Sequence, residues 1–301
     1  MPVVKSELQA DLRKLRKSLR PGSKRLTPED VHRLRTRARR FLSLSDSDSL
    51  PSLAKANLKK ALKRIRKRAG RVRDMDVLTS HLAALHSDSD PSCRTQLFEY
   101  LGAKRYRRAD RLTRLLEDDG PTLRKELRRV GKGIAKDTGR NGGKNLRKAH
   151  TKHSAQVLEL TAGLSEPAHL TRAGLHPYRL KVKELRDALR MAGGTADSRF
   201  AGGLGRCNDA IGEWHDWEEL IAIAEKILGH GPHCPLLQEL KEINQRKLDA
   251  ALTTAERLRT DYARPGLGKA RPARAQGKSG KAWQPLPIPE RALRAVAGAL
   301  A

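Results

Sequence analysis

Leu175-His176-Pro177-Tyr178-Arg179-Leu180-Lys181-Val182-Lys183-Glu184-Leu185-Arg186 is the stretch that decides how this chain folds. An α-helix turns about 100° per residue. On that wheel His176, Arg179, Lys183 and Arg186 fall within about 80° of one another. Leu175, Tyr178, Val182, Leu185 and Leu189 form the adjoining apolar stripe. One edge of the helix is built to pack, and the next presents cations in a row.

The row occurs twice. His32, Arg35 and Arg39 keep spacings of three and four beside Leu34, Ala38 and Phe41, and His176 comes 144 positions after His32. Each row is followed some way on by a second shared segment. The first reads Gly70-Arg71-Val72-Arg73-Asp74-Met75-Asp76 and the second Gly212-Glu213-Trp214-His215-Asp216-Trp217-Glu218, with the glycines 142 positions apart. Two motifs at nearly one offset mark a duplicated unit. A merely solvated face has no reason to keep one spacing in two copies.

Composition agrees with a helical chain that holds a polyanion. The 301 residues carry a formal net charge of +29, far beyond what solubility needs. Hydrophobic residues make up 38 % and aromatics 3 %. Leu, Ala, Arg, Lys and Glu dominate and β-branched runs are scarce, so the expected class is all-α with a lean core. Cys93, Cys207 and Cys234 are an odd, scattered set that implies no disulfide framework. The N-terminal residues lack an apolar signal core, and no stretch approaches the roughly 18 apolar residues of a membrane span. A soluble, cytoplasmic protein is expected.

Leu8, Leu12, Leu15 and Leu19 predict a first helix ending at Pro21-Gly22. Thr27-Pro28-Glu29-Asp30 is a helix start: a capping hydroxyl, a first-turn proline and acids at the positive helix end. That helix carries the first row and stops near residues 45–49. A third runs from about 53 to 69, with Gly70 marking a bend or a close packing before helix resumes at Asp74. Helices are expected over 92–118 and 121–137, and then near 144–164, 168–192, 198–211, 213–229 and 235–263. The Gly-rich residues 139–143 form the boundary between repeats of about 1–140 and 144–262. From 264 the chain reads as a basic, disordered tail, with a short closing helix over 289–301.

The third helix adds cations. Lys59, Lys63, Arg66 and Arg73 lie within about 80° of each other if the helix continues past Gly70, beside an apolar face of Leu58, Leu62, Ile65 and Ala69. Like charges this close repel, so an anionic ligand is the economical explanation of rows with few local acids. Arginine offers forked donors to phosphate oxygens and lysine a point charge. Asp74, Asp76 and Asp216 are expected as caps or salt-bridge partners rather than catalytic acids, and Trp214 and Trp217 as core. His230 with His233 and Cys234, and His150 with His153, fall short of a four-ligand metal set.

These residues resemble the CHAD domain, the conserved histidine α-helical domain, whose pattern is two His-x-x-Arg-x-x-x-[Arg/Lys] helices, each followed by a Gly-x-x-[Arg/His]-Asp segment. His32 to Arg40, Gly70 to Leu78, Leu175 to Arg186 and Gly212 to Asp216 supply the four parts in order, over about residues 1–262. The resemblance implies two four-helix-bundle-like halves related by a pseudo-two-fold axis, with basic residues about a central cavity. It also implies binding of inorganic polyphosphate, for which sulfate or phosphate ions could substitute, and association with polyphosphate granules. The expected contacts are His32, Arg35, Arg39, Arg40, Lys59, Lys63, Arg66 and Arg73 from the first half, and His176, Arg179, Lys183, Arg186 and His215 from the second. No catalytic residue, cofactor, metal or membrane partner is expected, and nucleic acid only nonspecifically, since stacking aromatics are few.

Two departures stand out. Leu42 occupies the place of Arg186, and the helix before Gly212 has Arg199 and Arg206 but no dense basic row, so the second half is expected to contribute less. No alternating-glutamate strand of the triphosphatase sometimes joined to CHAD domains is present, so a stand-alone binder is expected.

Overall fold

The structure, a computed structural model, describes residues 2–20, 25–46, 56–85, 91–136, 155–166, 169–191, 198–229 and 234–262. Every regular element among them is helical, so the chain is all-α. The helices are α1 (Pro2–Ser18), α2 (Pro28–Asp46), α3 (Ala56–Ala83), α4 (Pro91–Lys136), α5 (155–162), α6 (Arg172–Met191), α7 (Ser198–Ile227) and α8 (Pro235–Tyr262). A single 3₁₀ turn, Gly163–Ser165, follows α5. The Gly-rich boundary, the tail and its closing helix, His150, His153, His230 and His233 lie outside the described residues.

The chain divides into two compact units, Met1–Ala149 with Asp216–Lys241, and His150–His215 with Glu242–Ala301. In unit 1, α1 to α4 pack around one apolar cluster. Leu12 and Leu15 of α1, with Leu19 just beyond it, meet Val31, Leu34, Ala38 and Phe41 of α2, Leu58, Leu62, Ile65 and Val72 of α3, and Leu112, Leu116 and Leu127 of α4. In unit 2 the core draws on Val157 of α5, Leu175, Tyr178, Val182 and Leu185 of α6, Phe200, Leu204, Cys207 and Ile211 of α7, and Ala251, Ala255 and Leu258 of α8. Apolar stripes at three- and four-residue spacing hold both clusters, as amphipathic helices require.

The start of α2 follows its sequence signature. The Asp30 backbone N–H donates to Thr27 Oγ1 at 3.2 Å, and the Thr27 backbone N–H donates to Asp30 Oδ2 at 3.3 Å. This is a reciprocal capping box with aspartate at the third helical position. The Thr27 hydroxyl, which also donates to Asp30 at 2.7 Å, and then Arg33, hold the Asp30 carboxyl below its ordinary value.

Three expected breaks are absent. α3 runs through Gly70, because continuing the helix buries Val72, Met75, Leu78 and Leu82 in register with Leu62, Ile65 and Ala69. α7 runs through Gly212 for the same reason, burying Ile211 and Trp214. α4 runs through Pro121. Proline normally excludes helical geometry at the preceding residue by clashing with its Cβ, but that residue is Gly120. A Cβ there would also stand 2.7 Å from the Leu19 carbonyl oxygen. That carbonyl instead accepts from Arg124 Nη1 at 2.9 Å, fixing the end of α1 against α4.

Cys93 and Cys234, distant in sequence, meet in unit 1 as buried thiols that form no disulfide, with sulfurs 3.7 Å apart. Burial pushes the Cys207 thiol up to about 12 and raises the neighbouring Tyr178 hydroxyl. Cys207 is therefore a packing residue with no thiolate character.

Candidate functional site

In unit 1, α2 divides its arginines by role. Arg33 pairs with Asp30 at 2.8 Å and Glu29 at 3.5 Å, and Arg37 donates to the Lys14 carbonyl at 3.0 Å and to the Ser18 hydroxyl. Arg40, more than half exposed, lies 4.0 Å from Asp11. The row between them is treated differently: His32 is exposed, Arg35 and Arg39 half-buried, and His32 and Arg35 make no ion pair among the described residues. Leu42, at the place of Arg186, is buried in the unit 1 core, because the edge of the row merges there with the packing face.

On α3, Lys63 and Arg66 are exposed and Arg73 is half-buried, none with a carboxylate partner among the described residues. Lys59 is half-buried and donates to the Ser45 carbonyl near the end of α2, so part of its capacity is spent on joining the two helices.

The repeated glycines explain the repeated spacing. Arg35 Nε lies 3.7 Å from where a Cβ on Gly70 would stand. In unit 2 a Cβ on Gly212 would stand 2.6 Å from Arg179 Nη2 and 3.1 Å from its Cζ. Each glycine is thus a place where the arginine of its own copy lies, but only at Gly212 does close approach require the glycine; at Gly70 the arginine stands at ordinary contact distance. Arg179 Nε is buried with no hydrogen-bond partner among the described residues. The Arg179 guanidinium therefore lies directly against the α7 backbone.

Unit 2 also brings together two of the expected contacts. The rings of His176 on α6 and His215 on α7 lie with centroids 5.5 Å apart and planes at 34°. His176 is exposed and His215 half-buried. Arg186 and Lys183 are half-buried on the same helix as His176. Lys183 and Arg39 each have an interaction with another group, so neither is counted as an open cation. Trp214 and Trp217 are 3 % and 5 % exposed, core residues rather than stacking platforms, and Trp217 stacks on His81 at 4.7 Å within unit 1.

Sequence reading singled out Asp74 and Asp216 as caps or salt-bridge partners and missed Glu219. Asp74 of α3 sits with Glu219 and Asp216 of α7 in unit 1, near Arg35 and Arg108. Burial first, then repulsion by Glu219 and Asp216, raises the Asp74 carboxyl to about 6, against the pull of Arg35 and Arg108. Asp74 and Asp216 are equivalent positions of the two copies, so their meeting was visible only as a motif match. Glu219 has no counterpart in the motif and gave no signal. Among the described residues, no group of three metal-ligating side chains converges and no helix is long and apolar enough to cross a membrane.

Comparisons with known proteins are consistent in kind. A family model described as the CHAD domain matches residues 6–225. The crystal structure of the CHAD domain from the plant Ricinus communis is similar at a TM-score of 0.55 and 17 % identity, covering 86 % of this chain and 89 % of that one. No curated protein matches this chain.

Proposed function

This chain belongs to the CHAD domain family, and from that premise we propose that it is a non-enzymatic binder of inorganic polyphosphate, acting in the cytoplasm at polyphosphate granules. One observation carries the reading. In each unit an arginine of the His-x-x-Arg helix is laid on a helix glycine, beside an exposed histidine, with no ion pair among the described residues. Arginines spaced along helices suit a polymer that carries charge on every phosphate and no bases. His32, Arg35, Lys63, Arg66 and Arg73 are the open donors of unit 1, and His176, Arg179, Arg186 and His215 those of unit 2. Arg39, Arg40, Lys59 and Lys183 add charge while also serving local contacts. Counterion release supplies much of the affinity, by analogy with nucleic acids.

The deciding experiment is a competition titration of long-chain polyphosphate against single- and double-stranded DNA at about physiological salt, with the full chain and a chain ending at Tyr262. Polyphosphate should win in both. Equal competition by DNA, or a preference that vanishes with the tail, would leave only a general polyanion binder.

The two glycine seats give an asymmetric prediction. Gly70→Ala meets an ordinary contact and gains helix propensity of about 1 kcal/mol, so it should raise stability and leave polyphosphate affinity unchanged. Gly212→Ala must displace the Arg179 guanidinium, a flexible group, so the fold should persist while affinity falls. Melting curves and titrations of both variants test this; equal affinities would show that Gly212 does not position Arg179 for binding.

Binding should also strengthen as pH falls through about 6. Protonating Asp74 removes a negative charge facing Arg35 and Arg108. Asp74→Asn tests this: it should bind a few-fold more tightly at pH 7.5 and flatten the profile around pH 6. An unchanged affinity at pH 7.5 would remove Asp74 from the site. The sign for stability runs in parallel. Because the folded value is raised above 3.8, ionised Asp74 costs stability above pH 6, and that cost is relieved as pH falls from about 6 towards 4.

A further inference from the structure

A further concentration of positive charge in unit 1 lies on α3 and α4. On α4, Lys104, Arg107, Arg108 and Arg111 share a stripe about 100° wide. On α3, Arg68 and Arg71 occupy the side roughly opposite Lys59, Lys63, Arg66 and Arg73. Where α3 and α4 pack together these six side chains line a cleft of about 310 Å³, with no acid and no aromatic ring in its lining.

The cleft is held in shape by its own residues. Arg108 Nη1 donates to the Arg71 carbonyl oxygen at 2.7 Å, and Lys104 Nζ donates to the Tyr100 hydroxyl at 3.0 Å. Three acids of α3 and α4 are engaged elsewhere: Asp76 with Arg105, Asp110 with Arg114, and Asp119 with Arg64. None of the six cleft cations makes an ion pair among the described residues, although Arg108 is felt by Asp74. Six like charges around one small volume repel one another unless an anion enters.

The lining also limits which anion. Arginine forks match phosphate oxygens. Nothing in the lining can stack a base, which single-strand binding requires. The volume is at the lower end of small-ligand sites, suited to a few phosphoryl groups and too narrow for a duplex. We propose that the α3–α4 cleft is a second anion site that takes a compact oligophosphate, namely the end or a short run of an inorganic polyphosphate chain. The assignment of the polymer rests on the polyphosphate reading above; the preference for a base-free oligophosphate rests on the cleft.

The test is calorimetric titration of the full chain with tripolyphosphate at about physiological salt. The cleft variant is Arg107→Gln with Arg111→Gln, both exposed and neither holding another element. The control is Arg128→Gln with Arg129→Gln, exposed cations elsewhere on α4 with the same change of charge. Loss of two charge-assisted contacts should weaken tripolyphosphate at least about tenfold in the cleft variant. The control should change little. Arg107→Lys with Arg111→Lys should fall between, keeping charge and losing the fork. Equal losses in cleft and control variants, or no tripolyphosphate binding by the unaltered chain, would overturn the proposal. If tripolyphosphate depends on the cleft while DNA competes equally with long-chain polyphosphate, the cleft stands and the polymer reading fails.

Discussion

Arg35→Ala combined with Arg179→Ala is expected to weaken long-chain polyphosphate binding by roughly a hundredfold or more, while Arg271→Ala with Lys278→Ala in the tail costs a few-fold at most. A hydrogen bond to a charged group contributes about 1.5–3 kcal/mol, so two lost together exceed two decades in affinity. The contrast does not come from charge, since both pairs remove two positive charges. It comes from preorganisation: Arg35 and Arg179 are seated on Gly70 and Gly212, so little side-chain freedom is lost on binding. The salt dependence should separate the contributions further, each lost phosphate contact reducing the slope of log K against log salt by about one. Arg35→Lys with Arg179→Lys keeps the charge and loses the forked geometry, and should resemble the alanine pair more than the parent. Titration over a salt series, with melting curves to show that each variant is folded, measures all of this. Equal losses in the site and tail pairs would mean that only diffuse charge attracts the polymer.

The same seats show what the sequence made legible and what it did not. The α2 and α6 stripes could be read residue by residue, because Leu34, Ala38 and Phe41, and Leu175, Tyr178, Val182 and Leu185, follow one helical period and are buried as that period demands. The role of Gly70 was only half legible. Local propensity admits both a bend and a close approach at a glycine, and the choice depends on the arginine that comes to lie there from another helix. Pro121 misled for a related reason: the feature that tolerates it is Gly120 against the end of α1, a tertiary contact. The cleft was illegible as a site. Lys104, Arg107, Arg108 and Arg111 alone read as a solvated face, and only the packing of α3 on α4 adds Arg68 and Arg71 to them. The acid group around Asp74 needed the placement of residues 216–219 in unit 1, which no local pattern gives.

Asp76→Ala is expected to be the most destabilising single change in the shared motif, by about 3 kcal/mol. Asp76 is the second acid of the Gly70–Asp76 segment, and its side chain is 3 % exposed. Its Oδ1 accepts from Arg105 Nε at 2.6 Å, and Arg105 Nη2 donates in turn to the Leu26 carbonyl oxygen at 3.1 Å. One aspartate therefore links α3, α4 and the approach to the α2 capping box. Breaking a buried pair by removing one partner leaves the other charge uncompensated, which typically costs about 3–5 kcal/mol. Arg105 is a quarter exposed, so water recovers part of that and the lower end applies. For a unit of this size the melting temperature should fall by roughly 6–12 °C. Glu225→Ala, which breaks the half-exposed pair with Lys241 at 2.8 Å, should shift stability by no more than about 1 kcal/mol. Calorimetric melting of the two variants distinguishes a structural acid from a ligand-binding or catalytic one. If Asp76→Ala melts with the parent but loses polyphosphate affinity, the acid belongs to the site, and its pairing with Arg105 positions that arginine for the ligand rather than holding the bundle together.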